Sequence, residues 1–313
     1  MKKVIVIVGP TATGKTEVAI ELARRLSTEI ISADARQIYT YLDIVTAKPE
    51  KEILKEIKHY MIDIVTPDNY YSAGKFKNAA ENAIGEVHKK GKIPIVVGGS
   101  GLYIKALTDG LTILPQRNDA LRENLLNEAK SKGKGYLYEV LKEVDPEAAK
   151  KIPPNNMIRI IRALEVYYLT GKPFSQHHKD KSKLHKNDYT FYIFGLLWDR
   201  KKLYQRIDAR IEKMLSRGAI EETAHVLKLG YKPTDPGLNA LGYKQIIKYL
   251  NNEIDFNGMV SEWKFKTHQY AKRQITWFKT DNRINWIYMD EGYNVNDICD
   301  KILSLCEKDT LKK

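Results

Sequence analysis

A chain of 313 residues with 43% hydrophobic and 29% charged side chains is too long for a mini-protein scaffold and too apolar for disorder, so it holds a sizeable core. Its 52 lysines and arginines exceed its 39 aspartates and glutamates by 13, a bias toward an anionic partner that does not by itself choose nucleic acid over an acidic membrane surface. With only Cys299 and Cys306, a disulfide framework and a cysteine zinc site are excluded, and a reducing cytosol fits.

Residues 4–8, Val-Ile-Val-Ile-Val, predict a strand buried on both faces of a parallel sheet. The five-residue run is too short for an export signal. Residues 16–26 place Val18, Ala19, Leu22, Ala23 and Leu26 on one helical face, and Ile30-Ile31-Ser32 begins a second strand. A helical stretch over 73–90 and a buried strand over 92–98 continue a doubly wound sheet across 1–110. From Pro115 the pattern turns helical, over 117–132, 137–151 and 156–169, with a stop at Gly171-Lys172-Pro173. A charged connector over 176–188 follows, whose His177-His178 reads as solvated rather than metal-ligating. Residues 189–198 return to strand content, and beyond 200 the chain is again mainly helical. No stretch reaches the roughly 20 apolar residues of a membrane span. With the glycine-rich Gly9-Pro10-Thr11-Ala12-Thr13-Gly14-Lys15-Thr16 between the first strand and the first helix, the expected fold is α/β: a P-loop NTPase-like parallel sheet flanked by helices, with a mainly helical insertion. Residues 1–114 form the first part of the core, 115–188 the insertion, and 189–313 the completion with its basic C-terminal helices.

Gly9-Pro10-Thr11-Ala12-Thr13-Gly14-Lys15-Thr16 fits the phosphate-loop pattern G-x-x-x-x-G-K-[ST] between a strand and a helix. Such a loop turns backbone N–H groups toward an oxyanion, Lys15 adds a full charge, and the Thr16 hydroxyl can sit on Mg²⁺. A di- or triphosphate belongs there. An NTPase or kinase also wants an acid for its metal; the strand over 93–97 runs out into Gly98-Gly99-Ser100 instead, which leaves Asp63 as the candidate for that role.

Chemistry in an open α/β sheet collects outside the carboxyl ends of the strands. Asp34 and Gln37, just past the second strand, should face the same crevice as the loop, Asp34 as a general base or as the N-cap of a short helix with Gln37 at the capping-box position. Ser100 could donate a hydrogen bond into the crevice or be a plain turn residue. Farther on, Lys264, Lys266, Lys272, Arg273, Lys279 and Arg283 face a single acid, Asp281, while Trp263, Tyr270 and Trp277 recur every seven residues. On a helix this separates an aromatic seam, read as packing, from a basic side that is either solvated or an RNA contact.

These segments resemble the tRNA dimethylallyltransferases (tRNA isopentenyltransferases). The resemblance runs along nearly the whole chain: the loop at 9–16, Ile-Ser-Ala-Asp-Ala-Arg-Gln-Ile-Tyr at 31–39, Asp43-Ile44 with Thr46-Ala47-Lys48-Pro49, Val-Gly-Gly-Ser-Gly-Leu-Tyr at 97–103, Arg-Ala-Leu-Glu-Val at 162–166, Gly-Tyr-Lys-Gln at 242–245 and Lys-Arg-Gln-Ile-Thr-Trp-Phe at 272–278. It departs at Ala35, Val45, Ser100, Asn156 and Ile158, where the family commonly has Ser, Gly, Thr, Asp and Arg. The expected protein is a cytoplasmic monomer, and the resemblance implies an enzyme that moves a dimethylallyl group from dimethylallyl diphosphate to N6 of the adenosine 3′ of the anticodon, position 37. It implies Gly9, Thr11, Ala12, Thr13, Gly14, Lys15, Thr16 and Arg210 as diphosphate ligands, Mg²⁺ on Thr16, and Asp34, Ser100 and Lys15 as catalytic groups. For the tRNA anticodon stem-loop it implies contacts from Asp34, Ala35, Arg36, Gln37, Ser100, Arg122, Ile158, Arg159, Ile160, Ile161, Arg162, Tyr243, Lys244, Gln245, Lys272, Arg273 and Gln274. Three alternatives stand beside it: a P-loop kinase or NTPase, a prenyl transferase acting on free adenine nucleotides, and a non-catalytic RNA-binding module. The spread of positive charge argues against a free nucleotide as acceptor, and the segment from Asp34 to Gln37 argues against mere binding.

Overall fold

The β-branched run at the start forms strand β1 (Lys2–Val8), buried from Val4 onward. Successive side chains alternate faces, so Ile5 and Ile7 enter one hydrophobic cluster while Val4, Val6 and Val8 enter another; burial on both faces is why the run has no polar interruption. This is a computed structural model, and it describes residues 2–112, 114–133, 135–177 and 188–308.

Helix α1 (Lys15–Arg25) begins at the end of the glycine-rich loop and buries Val18, Ala19, Leu22 and Ala23 against the sheet. Strand β2 (Ile30–Ser32), helix α2 (Lys51–Glu56), the two-residue strand β3 (His59–Tyr60), helix α3 (Ala73–Lys89), strand β4 (Ile95–Gly98) and helix α4 (Gly101–Asp109) follow. Next come α5 (Asp119–Lys132), α6 (Tyr136–Val144), α7 (Pro146–Lys151), α8 (Met157–Thr170) and α9 (Phe174–His177). The chain closes with β5 (Tyr189–Trp198), α10 (Arg200–Ser216), α11 (Ala219–Lys228), α12 (Tyr243–Leu250), α13 (Phe256–Phe278), β6 (Asn285–Met289) and α14 (Val295–Lys308). The described strands form one six-stranded sheet in the order β3-β2-β4-β1-β5-β6, with every neighbouring pair parallel. Strand order reverses at β1, flanked by β4 and β5, so a crevice opens beyond the carboxyl ends of β1, β2 and β4.

The chain divides into two compact units, Met1–Thr108 with Asn187–Lys313, and Asp109–Lys186. The second unit packs α5 to α9 around Leu125, Leu137, Leu141, Ile160 and Leu164. Its expected helix over 137–151 is two helices. Asp145 leaves helical geometry and its side chain accepts from the Ala148 amide, capping α7, while Pro146 brings no N–H with which α6 could continue. The largely helical segment beyond residue 200 also contains β6, an edge strand with only Ile287 and Met289 fully buried, a pattern too short and too polar to stand out in sequence. His177 Nε2 lies 3.2 Å from the Thr170 hydroxyl; His178 and most of the connector lie outside the described residues.

Candidate active site

The glycine-rich loop is held open from outside. Gly9 has φ of +143°, and a Cβ there would sit 2.5 Å from the Leu196 carbonyl oxygen, so this turn takes no side chain. Ala12 is left-handed, with φ of +63°, a costly state for a residue with a side chain. What holds it is visible: Arg206 Nε donates to the Ala12 carbonyl at 2.9 Å, and Trp198 Nε1 donates to the Thr13 carbonyl at 3.3 Å. The Arg206 guanidinium lies 4.3 Å from the Trp198 ring centroid. Inside the loop, Thr13 Oγ1 and Lys15 Nζ both donate to the Pro10 carbonyl, at 3.0 and 2.5 Å. With these carbonyls engaged, the first-turn amides of α1, which have no intrahelical partner, remain for an anion.

The loop opens on a cavity of about 440 Å³, within the roughly 300–1,000 Å³ range of small-ligand pockets. Thr11, Lys15 and Thr16 line one side, Asp34, Ala35, Arg36 and Gln37 another, and Ser100, Arg210, Tyr270 and Arg273 also border it. Burial and the neighbouring Arg210 pull the Lys15 ammonium down to about 7, although Asp34 pulls it up. Burial lowers Arg210 as well, against the opposing pull of Asp34. Tyr270 is pushed up to about 12 by burial and by Asp34, so its phenol keeps its proton and can donate.

Asp34 does not cap a helix. Its Oδ1 accepts from the Arg36 amide at 2.8 Å, and residues 35–38 continue as turns. Gln37 is fixed: Nε2 donates to the Ala47 carbonyl at 3.0 Å and Oε1 accepts from Ser32 Oγ at 2.9 Å. Ser100 Oγ accepts from the Ala35 amide at 2.9 Å, which leaves its own proton to donate. Asp63, the acid the kinase reading requires, is instead ion-paired with buried Lys48 and is absent from the cavity lining. Among the described residues, no three His, Cys, Asp or Glu side chains are grouped to hold a metal. The exposed Thr16 hydroxyl fits a hard cation that takes its other ligands from phosphate oxygens and water.

The expected RNA residues separate by exposure. Arg36, Lys244, Lys272 and Arg273 are exposed, and all but Lys272 border the cavity. Tyr243 and Gln245 are buried: the Tyr243 hydroxyl donates to Glu222, and the Gln245 amide bonds the Gly242 N–H and Glu262. Gln274 is buried as well. Tyr243 and Gln274 nonetheless line the cavity, whereas Gln245 does not, because consecutive helix positions point about 100° apart. Of the aromatic seam, Trp263 is core, Tyr270 lines the cavity and Trp277 is exposed.

In the second unit, Ile158 and Arg159 are exposed, whereas Ile160 and Ile161 are core residues and cannot meet RNA directly. Arg122 and Arg162 are both ion-paired with fully buried Glu165, which also accepts from the Asn118 amide. Burial alone would raise the Glu165 carboxyl, but these donors outweigh it and hold it at about 2. Glu165→Gln should therefore destabilise this unit by about 3 kcal/mol at pH 7, since it strands two partly buried guanidinia. The depressed carboxyl stabilises above the unfolded-state pKa and loses that contribution as pH falls toward 2, so the gap from wild type should close in acid. Hydrogen exchange in α5 and α8 across that range measures it.

Sequence reading missed Arg206, Trp198 and Glu222. Arg206 lies one helical turn before Arg210 on α10, a spacing visible in sequence yet common on polar helices. Glu222 accepts from the amides of Asp43, Ile44 and Val45, fixing the turn whose next carbonyls hold Gln37.

A glycine-rich turn at the head of a parallel strand, opening on a cavity that also collects a carboxylate and a hydroxyl from neighbouring strand ends, defines an α/β phosphate-loop protein able to hold a diphosphate beside a proton acceptor. Residues 37–281 match the profile of the IPP transferase family. A tRNA dimethylallyltransferase from Acetivibrio thermocellus is 47% identical over 292 residues, 93% of each chain. The crystal structure of a tRNA isopentenylpyrophosphate transferase from Staphylococcus epidermidis superposes with a TM-score of 0.71 at 36% identity, covering 98% of this chain and 100% of that one. A eukaryotic dimethylallyltransferase, described in crystallographic snapshots as acting on tRNA, gives a TM-score of 0.77 at 29% identity, over 92% of this chain and 74% of that one. The chain belongs to the IPP transferase family.

Proposed function

We propose that this protein transfers a dimethylallyl group from dimethylallyl diphosphate to N6 of the adenosine 3′ of the anticodon, position 37, giving N6-isopentenyladenosine in tRNA. One observation carries the reading: Lys15, Thr16 and Arg210 share a single cavity with Asp34, Gln37 and Ser100. The relatives' names as tRNA dimethylallyltransferases support it.

The loop amides, Lys15 and Arg210 bind the donor's diphosphate. As the C1–O bond breaks, negative charge gathers on the leaving diphosphate, where these groups stabilise it. The N6 lone pair forms the new bond to C1, and its proton passes to the Asp34 carboxylate. Ser100 and Tyr270 offer donors beside the reacting centre, and Gln37 borders the adenine. Mg²⁺ held by Thr16, phosphate oxygens and water would neutralise charge on the departing group. Reaching the cavity requires the base to leave the anticodon-loop stack. Arg36, Lys244, Lys272 and Arg273, with Ile158 and Arg159 of the second unit, serve as tRNA contacts in this reading. In it the enzyme works as a monomer in the cytoplasm; no helix among the described residues is long and apolar enough to cross a membrane.

Incubation with an anticodon stem-loop, Mg²⁺ and dimethylallyl diphosphate should add one five-carbon unit to the loop adenosine, seen by mass spectrometry. Addition to free AMP but not to the stem-loop, or ATP turnover without any addition, would overturn the assignment.

A further inference from the structure

Gln274 was read as part of a tRNA-binding motif, and the structure gives it other work. Its side chain is 7% exposed and tied at both ends: Oε1 accepts from the Thr11 amide at 3.0 Å, and Nε2 donates to the Gly99 carbonyl at 2.9 Å. The first bond reaches the phosphate loop. The second reaches the β4 exit one residue before Ser100, whose hydroxyl accepts from Ala35 beside Asp34.

The register of the sheet shows why such a tie is needed. Strands β1 and β4 are paired up to Val8 and Gly98, where the ladder ends. Beyond that pair the chains part, one into the diphosphate loop and the other into the Ser100 turn, and Gln274 spans them as a side-chain rung. The fit is close: a Cβ on Gly99 would lie 2.4 Å from Gln274 Nε2. The tie asks for an acceptor at one end and a donor at the other, which an amide supplies.

We propose that Gln274 is a positioning residue that sets the spacing between the leaving diphosphate and the acceptor amine. This rests on the transferase reading above. The donor is gripped by one loop and the acceptor by the other, so slack between them lengthens the distance over which the new C–N bond must form. Misplacement of about 1 Å costs on the order of 100-fold in rate.

Glutamate at this position keeps the acceptor for Thr11 but turns a lone pair toward the Gly99 carbonyl, restoring the second bond only when protonated. Gln274→Glu should lower kcat about 100-fold at pH 8, leaving affinity for the anticodon stem-loop within about threefold of wild type, while its charge beside the loop also weakens inorganic pyrophosphate binding; Gln274→Met, which adds no charge, should keep both affinities within about threefold. Its kcat relative to wild type should climb as pH falls, by up to about tenfold per unit while the new carboxyl titrates. Gln274→Met keeps the bulk and loses both bonds, so its deficit should be independent of pH. Gly99→Ala pushes the amide aside without adding charge and should reproduce the kcat loss even where the glutamate variant does not fold. Exchange protection of the Thr11 amide, present in wild type and lost in Gln274→Met, reports the tie without turnover; wild-type turnover on the stem-loop separately tests the transferase reading. An unprotected Thr11 amide in wild type, a Gln274→Glu kcat within about threefold of wild type at every pH, or a loss confined to stem-loop affinity would overturn the proposal.

Discussion

Asp34→Asn should lower kcat about 1,000-fold while leaving the affinity for an anticodon stem-loop near that of wild type. The amide keeps the size of the carboxylate, and its oxygen can still accept from the Arg36 amide, so the turn over 35–38 survives. What it cannot do is take the proton that N6 must shed as the C–N bond forms. A second effect follows from the charges around it. Asp34 pulls the Lys15 ammonium up, so its neutralisation lets that group fall further below 7 and weakens diphosphate binding at neutral pH and above. The two effects separate in single-turnover kinetics. At saturating donor and pH 6 only loss of the base remains, and a rate there within tenfold of wild type removes Asp34 from that role.

Much of the first unit was legible because several signals agreed at the same residues. Strand β1, the phosphate loop and α1 are marked by an unbroken β-branched run, by a dense motif and by a helical stripe, each ending where the next begins. Strand β5 was visible for a similar reason, as apolar content rose sharply after a charged connector. Side-chain direction within motifs was not legible. In Lys272-Arg273-Gln274 two side chains go to solvent and the third enters the interior, and the sequence marks all three as polar. Tyr243 and Gln245 are interior for the same reason, whereas Lys244 between them is exposed. Long-range partners were also hidden. Glu222 serves a turn near residue 44, and Arg206 serves the left-handed Ala12; neither relation has a local period to betray it.

Lys15→Met should lower kcat/KM for dimethylallyl diphosphate about 1,000-fold, the upper end of what loss of one preorganised oxyanion group costs. Lys15 is the loop's own full charge, and no neighbouring amide replaces it. Its pKa of about 7 in the free protein, down from the ordinary 10.5, means that in the proposed reaction the diphosphate would meet a donor partly discharged at pH 7.5. An incoming anion favours the ammonium, so binding above pH 7 should draw in a proton, and donor affinity should weaken as pH rises through that point. Calorimetry of pyrophosphate binding in buffers of different ionisation heat should show this uptake in wild type and much less of it in Lys15→Met. Stability should move the other way. Between pH 7 and 10.5 the unfolded chain holds the lysine proton more firmly than the folded one, so this group destabilises the fold most below pH 7 and progressively less as pH rises to 10.5. Methionine carries no such penalty. Lys15→Met should thus melt higher than wild type in acid and neutral solution, with the difference shrinking toward pH 10.5; a variant that melts lower throughout would show that Lys15 supports the loop rather than straining it. The expected gain in stability with a loss of activity is the mark of a charge kept in a poorly solvated place for the anion it will meet.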